Sequence, residues 1–297
     1  MAYKLTIDGK DVTAYAESIT WGGDIDDGAR SLSAEFARGI LPECGDKARL
    51  YVGGKLIYSG YVTDVDRDAW GTSIDSSDAG MYLSKNYLYK EYKGTPQTIT
   101  RKVCAECGIK IGKLAEKKGV VKVTSSGSKS AYSVIEEAYE GERQKAKQYC
   151  YFIKSGRLYV EAVGSSYVGK LAAEIETVKR GWSIKDMVNR VVIIDDSGKV
   201  KGEVQNAADR HKYGTMQKTY TKQKDKNAEA EAKDILRRLQ KSGTITAIGN
   251  ISMVAGKKIK VIEKQSGMSA YVAIKSDKHT FSAGDHSMSL EVYYEAK

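Results

Sequence analysis

Two cysteines have a spacing that can support chemistry. Cys104 and Cys107 have the C-x-x-C spacing of metal-binding and redox sites. A zinc site needs two further ligands, but Cys44 and Cys150 are far away along the chain and no histidine is near. A thioredoxin-type site places the pair at the start of a helix, whereas this pair lies near the end of a predicted helix. We therefore predict that the cysteines are reduced and pack as small apolar side chains.

His279 and His286 form a second candidate site, because imidazoles can bind metals or transfer protons near neutral pH. They flank a Gly-containing turn, and Asp277 and Asp285 lie beside them in the sequence. Their H-x6-H spacing matches no zinc motif, and His211 is the only other histidine. The sequence therefore predicts a structural, hydrogen-bonding role for this pair.

Two sets of aspartates could in principle flank a glycosidic bond, as a pair of carboxylates does in glycosidases. The sets are Asp64, Asp66 and Asp68, and Asp24, Asp26 and Asp27. The first set alternates along one strand, which is typical of a solvated sheet edge. No nucleophile elbow, phosphate-binding loop or dinucleotide fingerprint occurs. The sequence therefore predicts a protein that is not an enzyme, with no catalytic, cofactor-binding or metal-binding residues.

The net charge of +10 is unevenly distributed along the chain. Residues 1–93 carry 11 basic and 15 acidic side chains, whereas residues 94–200 and 201–297 each carry seven more basic than acidic ones. A basic surface can bind nucleic acid, but single-strand binding also needs stacking aromatics, which the run of lysines from Lys110 to Lys122 lacks. The lysines at 222–226 lead directly into a predicted helix. The charge pattern fits head-to-tail contacts between subunits at least as well.

The elements that carry these residues are mostly strands. The first 93 residues alternate in short β-like runs with turn signals at Asp8-Gly9 and Gly53-Gly54, which indicates a small barrel or sandwich. Residues 94–163 indicate a small α/β module, with a helix at 98–108, a helix at 131–139 that Ser130 can cap, and a hairpin at 149–161. Residues 164–297 return to strands, at 187–194, 244–248, 258–262, 270–274 and 288–294, with one helix at about 227–240.

No apolar run approaches the roughly 20 residues that a membrane helix requires. The first residues also lack the apolar stretch of a secretory signal. We therefore expect the chain to be made and folded in a cytoplasm and not to insert into a membrane by itself.

Four stretches form an ordered set along the chain. They are Gly45-Asp46 to Leu50 with Ile57-Tyr58-Ser59-Gly60-Tyr61-Val62; Asp78 to Asn86; Met187-Val188-Asn189-Arg190-Val191 with Lys212-Tyr213-Gly214 and the helix at 227–239; and His279-Thr280-Phe281 with Gly284-Asp285-His286. Together they resemble the baseplate hub proteins of contractile prophage tails, the XkdQ-like family related to phage late-control D proteins. The resemblance extends over essentially the whole chain.

The resemblance implies an α+β, mainly β fold. Two tail-tube-like β-barrel domains, at 1–93 and 164–297, would flank the α/β module at 94–163. The family assigns no catalytic residues and gives the histidine turn a structural role in the second barrel.

The resemblance also implies a function. Three copies would form a trimeric adaptor between the sixfold tail tube above and the threefold central spike below, in contact with other inner baseplate proteins. The particle, assembled in the bacterial cytoplasm, would be a phage whose DNA passes through the lumen or a DNA-free bacteriocin. We expect edge-like strands at 31–36 and 188–194 to join neighbouring barrels. A tail-associated cell-wall hydrolase and a basic nucleic-acid-binding protein remain the alternatives.

Overall fold

The structure, a computed structural model, describes residues 2–141, 148–224 and 226–293. Strands predominate and the helices are short, so the predicted class, α+β and mainly β, is confirmed. The strands before the first helix are β1 (Tyr3–Ile7), β2 (Lys10–Asp11), β3 (Ala16–Asp24), β4 (Ser31–Ala37), β5 (Lys47–Val52), β6 (Lys55–Arg67) and β7 (Gly71–Asp78).

The middle of the chain alternates helices with short strands. In order these are α1 (Gly80–Lys85), β8 (Tyr87–Leu88), β9 (Glu91–Gly94), α2 (Pro96–Glu106), β10 (Lys110–Leu114), β11 (Val121–Thr124), β12 (Lys129–Ser130), α3 (Ala131–Glu140), β13 (Tyr149–Lys154) and β14 (Arg157–Ala162).

Strands predominate again in the last part. Its elements are β15 (Tyr167–Leu171), β16 (Ile175–Ser183), β17 (Arg190–Ile194), β18 (Val200–Gln205), α4 (Ala207–Tyr213), β19 (Gln217–Thr221), α5 (Ala228–Ile235), β20 (Gln240–Ile248), β21 (Lys258–Glu263), β22 (Met268–Ser282) and β23 (Asp285–Tyr293). The described residues form two compact units, one of residues 2–141, 148–179 and 244–292, the other of residues 180–224, 226–243 and 293.

The largest sheet has 13 strands. Its main path runs β16-β20-β23-β22-β3-β4-β7-β6-β5-β1-β2, and β15 joins through β21, which pairs with β22. Successive side chains of a strand point to opposite faces, so the alternating apolar residues of the sequence meet on one side. The buried side carries Leu5, Ile19, Trp21, Leu32, Phe36, Leu50, Val62, Ile74 and Phe281.

Antiparallel pairing of β3 with β22 joins distant parts of the chain, with Ile19 opposite Phe281. Glycine is required at Gly22 in this joint, since a Cβ there would lie 2.4 Å from the backbone oxygen of Asp277. Strands from residues 1–93 and from residues 164–297 therefore share one sheet. The domain boundaries at 93 and 163, and the division into two barrels, stay a prediction.

A separate apolar core, which we call the module core, lies between α2, α3 and the strands around them. Its members include Leu83, Ile99, Val103, Cys104, Val134, Ile135, Tyr139, Leu158 and Val160. α3 begins after its predicted cap, since the Ser130 hydroxyl accepts a hydrogen bond from the Ser133 amide at 3.1 Å. α2 begins earlier than predicted, because Thr95 caps it and Pro96 occupies its first turn.

The predicted hairpin turns are present. Asp8 and Gly9 have φ values of 47° and 81°, and Ser155 and Gly156 have φ values of 50° and 70°. Two consecutive residues with positive φ form the turn that suits the right-handed twist of the flanking strands. Glycine is the residue that adopts this backbone at least cost.

The second unit contains a three-stranded sheet in the order β18-β17-β19, covered by α5. Its core consists of Val188, Val191, Ile193, Tyr220, Ala232 and Ile235. Asn227 caps α5, but the predicted helix at 227–240 is too long. Leu236 is already extended, and Arg237 exchanges two backbone hydrogen bonds with Val188, which ends the helix.

The predicted edge strands are interior strands. Residues 31–36 belong to β4, which pairs with β3 on one side and with β7 on the other. Residues 188–194 contain β17, which pairs with β18 and β19. The edge assignment of both segments is therefore wrong. Both segments carry the regular apolar residues of strands that have a neighbouring strand along each edge. An edge strand can contain fewer apolar residues.

Candidate functional surface

On the solvent side of β22, β3, β4, β7 and β6 two adjacent rows carry small hydroxyl and acidic side chains, and we call these two rows the hydroxyl face. One row across the strands contains Thr280, Thr20, Ser33, Asp75 and Asp64. The next row contains Ser18, Glu35, Ser73 and Asp66. Neither row contains a lysine or an arginine, although the chain as a whole is basic.

Hydroxyl groups hold the carboxylates of this face. The Ser33 hydroxyl donates to an Asp75 carboxylate oxygen at 2.6 Å, and the Ser18 hydroxyl lies 3.2 Å from a Glu35 carboxylate oxygen. A depression of about 190 Å³ lies over these residues. Within these two rows the surface is polar and carries no positive charge, and the exposed Lys278 lies in the adjacent row on β22.

The first predicted aspartate set is divided by the structure. Asp64 and Asp66 lie on the hydroxyl face, in the part of β6 beyond Tyr61, where β5 no longer pairs. Asp68 lies in the turn before β7, where hydrogen bonds from the Trp70 and Gly71 amides lower the pKa of its carboxyl group. Asp68 therefore shapes a turn, and the three carboxylates do not act together.

The second aspartate set lies at the end of β3. Asp24 accepts a hydrogen bond from the Asp26 amide at 2.8 Å and pairs with Lys275 at 3.0 Å. These carboxylates fix a turn and bind a lysine of β22, so they are part of the scaffold.

A cluster of two buried residues, Asp277 and His279, and two half-buried residues, Arg30 and His286, lies on the core side of the sheet, and we call it the histidine cluster. The Arg30 guanidinium binds the Asp277 carboxylate through two nitrogens, one of them at 3.0 Å, and lies 4.3 Å from the Trp21 ring centre. The Asp277 side chain is fully buried and also accepts the Ala255 amide at 2.6 Å. A buried charge is tolerated only with such partners, and here several are present.

The two histidines of this cluster are hydrogen-bonded, as the sequence predicts. His279 Nδ1 lies 3.1 Å from His286 Nε2, and His279 Nε2 lies 3.4 Å from an Asp277 carboxylate oxygen. Burial lowers the pKa of His279 to about 4, against the opposing effect of Asp277, and burial lowers the pKa of His286 to about 4. Both imidazoles are therefore neutral at pH 7, and their positions inside the sheet suit packing rather than proton transfer to a solute.

A buried carboxyl group, Asp78, lies at the end of β7. One of its carboxylate oxygens accepts the Gly80 amide at 2.8 Å. Burial nevertheless raises the pKa of Asp78 to about 7. The start of α1 is therefore tied to the sheet by a group that is easily protonated.

The cysteine pair lies where the sequence places it, at the C-terminal end of α2. Cys104 is fully buried in the module core and Cys107 is half-buried. Burial raises the pKa of the Cys104 thiol to about 12, so the thiol is not ionised at pH 7. Among the residues that the structure describes, no three His, Cys, Asp or Glu side chains are arranged to hold a metal ion. Cys44 differs from the other three, because it is exposed.

Two lysines of the predicted basic cluster have structural partners. Lys117 donates to the backbone oxygen of Tyr139 at the end of α3. Lys122 pairs with Glu91 across two neighbouring strands at 2.8 Å. The Glu91 carboxylate offsets the charge of Lys122, and the hydrogen bond to Tyr139 holds Lys117 beside α3.

The sequence reasoning missed Arg30 and the hydroxyl face. Arg30 lies 247 positions before Asp277, so no local pattern connects them. The hydroxyl face does have a signal, because Ser and Thr alternate with apolar residues in β3 and β4. No helix in the described part of the chain is both long and apolar enough to cross a membrane.

Several solved structures match nearly the whole chain. The tail protein from Neisseria meningitidis MC58 matches with a TM-score of 0.76 and 15% identity, over 99% of this chain and 97% of that chain. The 43 kDa tail protein of prophage MuSo2 from Shewanella oneidensis matches with a TM-score of 0.75 and 13% identity, over 98% and 95%.

A secretion-system protein has a weaker match. The Escherichia coli c3393 protein, a component of the type VI secretion system with structural similarity to the T4 bacteriophage tail proteins gp27 and gp5, has a TM-score of 0.59 and 10% identity, over 99% of this chain and 77% of that chain. At these identities the matches show the fold. The resemblance to phage tail hub proteins is confirmed at that level.

No curated protein matches this chain. The model of the family described as YQBQ-like matches residues 19–293, from β3 to β23. This span includes most of the first compact unit and the second, and far more than half of the chain. The chain therefore belongs to the YQBQ-like family.

Proposed function

We propose that the protein is a structural baseplate hub of a contractile phage tail or of a tail-like bacteriocin. In this role three copies form an adaptor between the sixfold tail tube and the threefold spike, in contact with other inner baseplate proteins. The particle is assembled in the bacterial cytoplasm, and the protein has no catalytic role. The fold shared with phage tail proteins over 98–99% of the chain supports this proposal.

The observation that carries the proposal is the hydroxyl face. A channel that passes DNA or protein must not hold its cargo, and cationic side chains would bind phosphates. The two rows of the face offer only Ser, Thr, Asp and Glu, and the adjacent row adds one lysine, Lys278, although the chain carries 48 basic residues. We propose that this face lines the lumen of the assembled hub.

The first experiment is a light-scattering measurement of molar mass, with the chain alone and with the candidate spike protein. We expect a particle of about three times 32.6 kDa, either at once or when the spike is added. A chain that stays monomeric and binds neither tube nor spike contradicts the proposal and favours the cell-wall hydrolase. A zymogram of the same sample tests that alternative directly.

The lumen assignment has its own test. Glu35→Lys together with Asp75→Lys places two cations on the hydroxyl face at exposed positions. We expect an unchanged molar mass and slower DNA release from assembled phage particles, because the new lysines bind phosphates. Thr124→Lys, an exposed position on β11, is the matched control and should release DNA normally. Normal release by the double variant would contradict the lumen assignment.

A further inference from the structure

The strands that carry the hydroxyl face belong to an eight-strand run with two open edges. The run is β16-β20-β23-β22-β3-β4-β7-β6. An open edge leaves backbone N–H and C=O groups without partners and can pair with another chain. The following inference rests on the proposed hub function and concerns how one copy contacts the next.

The first open edge is the end of β6. β5 pairs with β6 only as far as Tyr61, while β7 continues to pair with it up to Arg67. Residues 64–67 thus have β7 on one side and, in the described strand order, no strand on the other. In an antiparallel ladder every second residue directs its backbone groups away from its partner strand. In the described strand order these groups have no strand partner, and beside them the Arg67 guanidinium donates to the Pro42 backbone oxygen.

The second open edge is β16, the last strand at the other end of the run. Its residues 175–179 belong to the first compact unit, as does all of β6. Val178 is half-buried, whereas Thr177 and Lys179 beside it are exposed. β6 has the same pattern, with Val65 half-buried between exposed Asp64 and Asp66. Each edge therefore presents one half-buried valine between exposed polar residues.

The strand directions allow the two edges to meet as antiparallel partners. From β6 to β22 each neighbouring pair is antiparallel. Hydrogen bonds from Gly249 to His286, and from Ile248 to Glu174, place the end of β20 beside the starts of β23 and β16. Directions therefore alternate across all eight strands, and β16 runs opposite to β6. Copies repeated around an axis then bring β16 antiparallel to the β6 of the next copy.

We infer that residues 64–67 of β6 in one copy pair with residues 176–179 of β16 in a second copy, with Val65 opposite Val178. This register places Lys179 opposite Asp64 and Glu176 opposite Arg67. Both pairs join opposite charges, and opposite charges directly across an antiparallel pair stabilise it. The contact is heterologous, since each copy uses a different edge toward each neighbour, and such contacts form a ring when the rotation between copies closes.

Cysteine cross-linking tests the register. The background is Cys44→Ser, because the exposed Cys44 sulfur lies 3.7 Å from the Thr63 backbone oxygen beside the proposed contact. Val65→Cys and Val178→Cys in one chain would face each other across copies, at a spacing that a disulfide can bridge. We expect oxidation to give covalent dimers and trimers on a non-reducing gel. Val65→Cys with Lys170→Cys, an exposed position on β15, is the matched control and should give none.

Exchanging the charges of Lys179 and Asp64 gives a second test. Both residues are exposed and do not pack in the core. Lys179→Glu or Asp64→Lys alone should lower the trimer fraction several-fold in light scattering. The double variant should restore the trimer, whereas Lys170→Glu should leave it unchanged.

The outcomes separate this inference from the function on which it rests. A trimer that neither cross-links at Val65 and Val178 nor responds to the charge exchange overturns the strand pairing and leaves the hub function standing. Absence of any trimer, with and without the spike, overturns both.

Discussion

The histidine cluster and the module core each contain a pair of side chains whose spacing suggests chemistry, and their surroundings differ completely. His279 and His286 lie in a buried network with Arg30 and Asp277, where every charge has a partner. Cys104, by contrast, lies among aliphatic and aromatic side chains and has no such network in the described core. A short motif therefore identifies side chains that could take part in chemistry. Residues from distant parts of the chain determine the surroundings of those side chains and hence their role.

The largest effect should come from breaking the charge pair of the histidine cluster. Asp277→Ala leaves the Arg30 guanidinium, whose side chain is only 12% exposed, without its counterion. We expect a loss of about 3–5 kcal/mol in the free energy of unfolding, as for other buried ion pairs that lose one partner. Urea denaturation measures it. Glu91→Ala, which breaks the exposed pair with Lys122, is the control and should cost at most about 1 kcal/mol.

The second-largest effect should be a loss of folding stability at acidic pH, caused by the histidine cluster. Because burial lowers the pKa of His279 to about 4, the unfolded chain binds a proton between pH 6.5 and pH 4 that the folded chain does not. Stability should therefore fall as the pH drops through this range, by an amount on the order of 3 kcal/mol for His279. Melting temperatures measured at several pH values would show the fall.

Protonation of Asp78 has the opposite effect on folding stability, so a variant of Asp78 serves as a control. Its raised pKa of about 7 means that the folded chain binds the extra proton, so Asp78 contributes stability at low pH that is lost as the pH rises from about 4 to 7. Asp78→Asn should make the fall in acid steeper, whereas His279→Gln should flatten it. The same pH profile in all three proteins would contradict the assignment of the histidine cluster as the source.

The smallest effect should come from the cysteine pair of the module core. Cys104→Ser buries a hydroxyl group in an apolar site and should cost about 1–3 kcal/mol, whereas Cys104→Ala should cost less. Cys107→Ser, at a half-buried position, is the control, and its unfolding midpoint should change little. Equal losses in the free energy of unfolding at the two positions would instead suggest that the two cysteines act together.

Local signals predicted much of the fold. The turns at Gly9 and Gly156 follow from residues that accept positive φ, and the Ser130 cap follows from a hydroxyl that can bind free amides. The end of α5 was not predictable in this way. Its sequence continues with good helix formers, but Arg237 is held by Val188, and a tertiary contact of this kind overrides local propensity.

Which strands lie side by side in the sheet could not be predicted from the sequence for the same reason. The alternation in residues 31–36 shows that one face is buried, but it does not show whether a second strand lies alongside. The two edges inferred here, at Asp66 and at Thr177, have weaker apolar patterns than the interior strands that were mistaken for edges. The hydroxyl face likewise required the register of five strands, which only the folded sheet supplies.

The pairing of β3 with β22 also sets the order of events during synthesis. At about 5–20 residues per second, the ribosome needs roughly 10–50 s to deliver Phe281 after Ile19 has emerged. During that time β3 lacks its neighbour and Arg30 lacks Asp277. A truncated chain that lacks β22 would keep an uncompensated cation and an incomplete sheet. Because β3 pairs with β22, only a chain translated through β22 can complete this sheet.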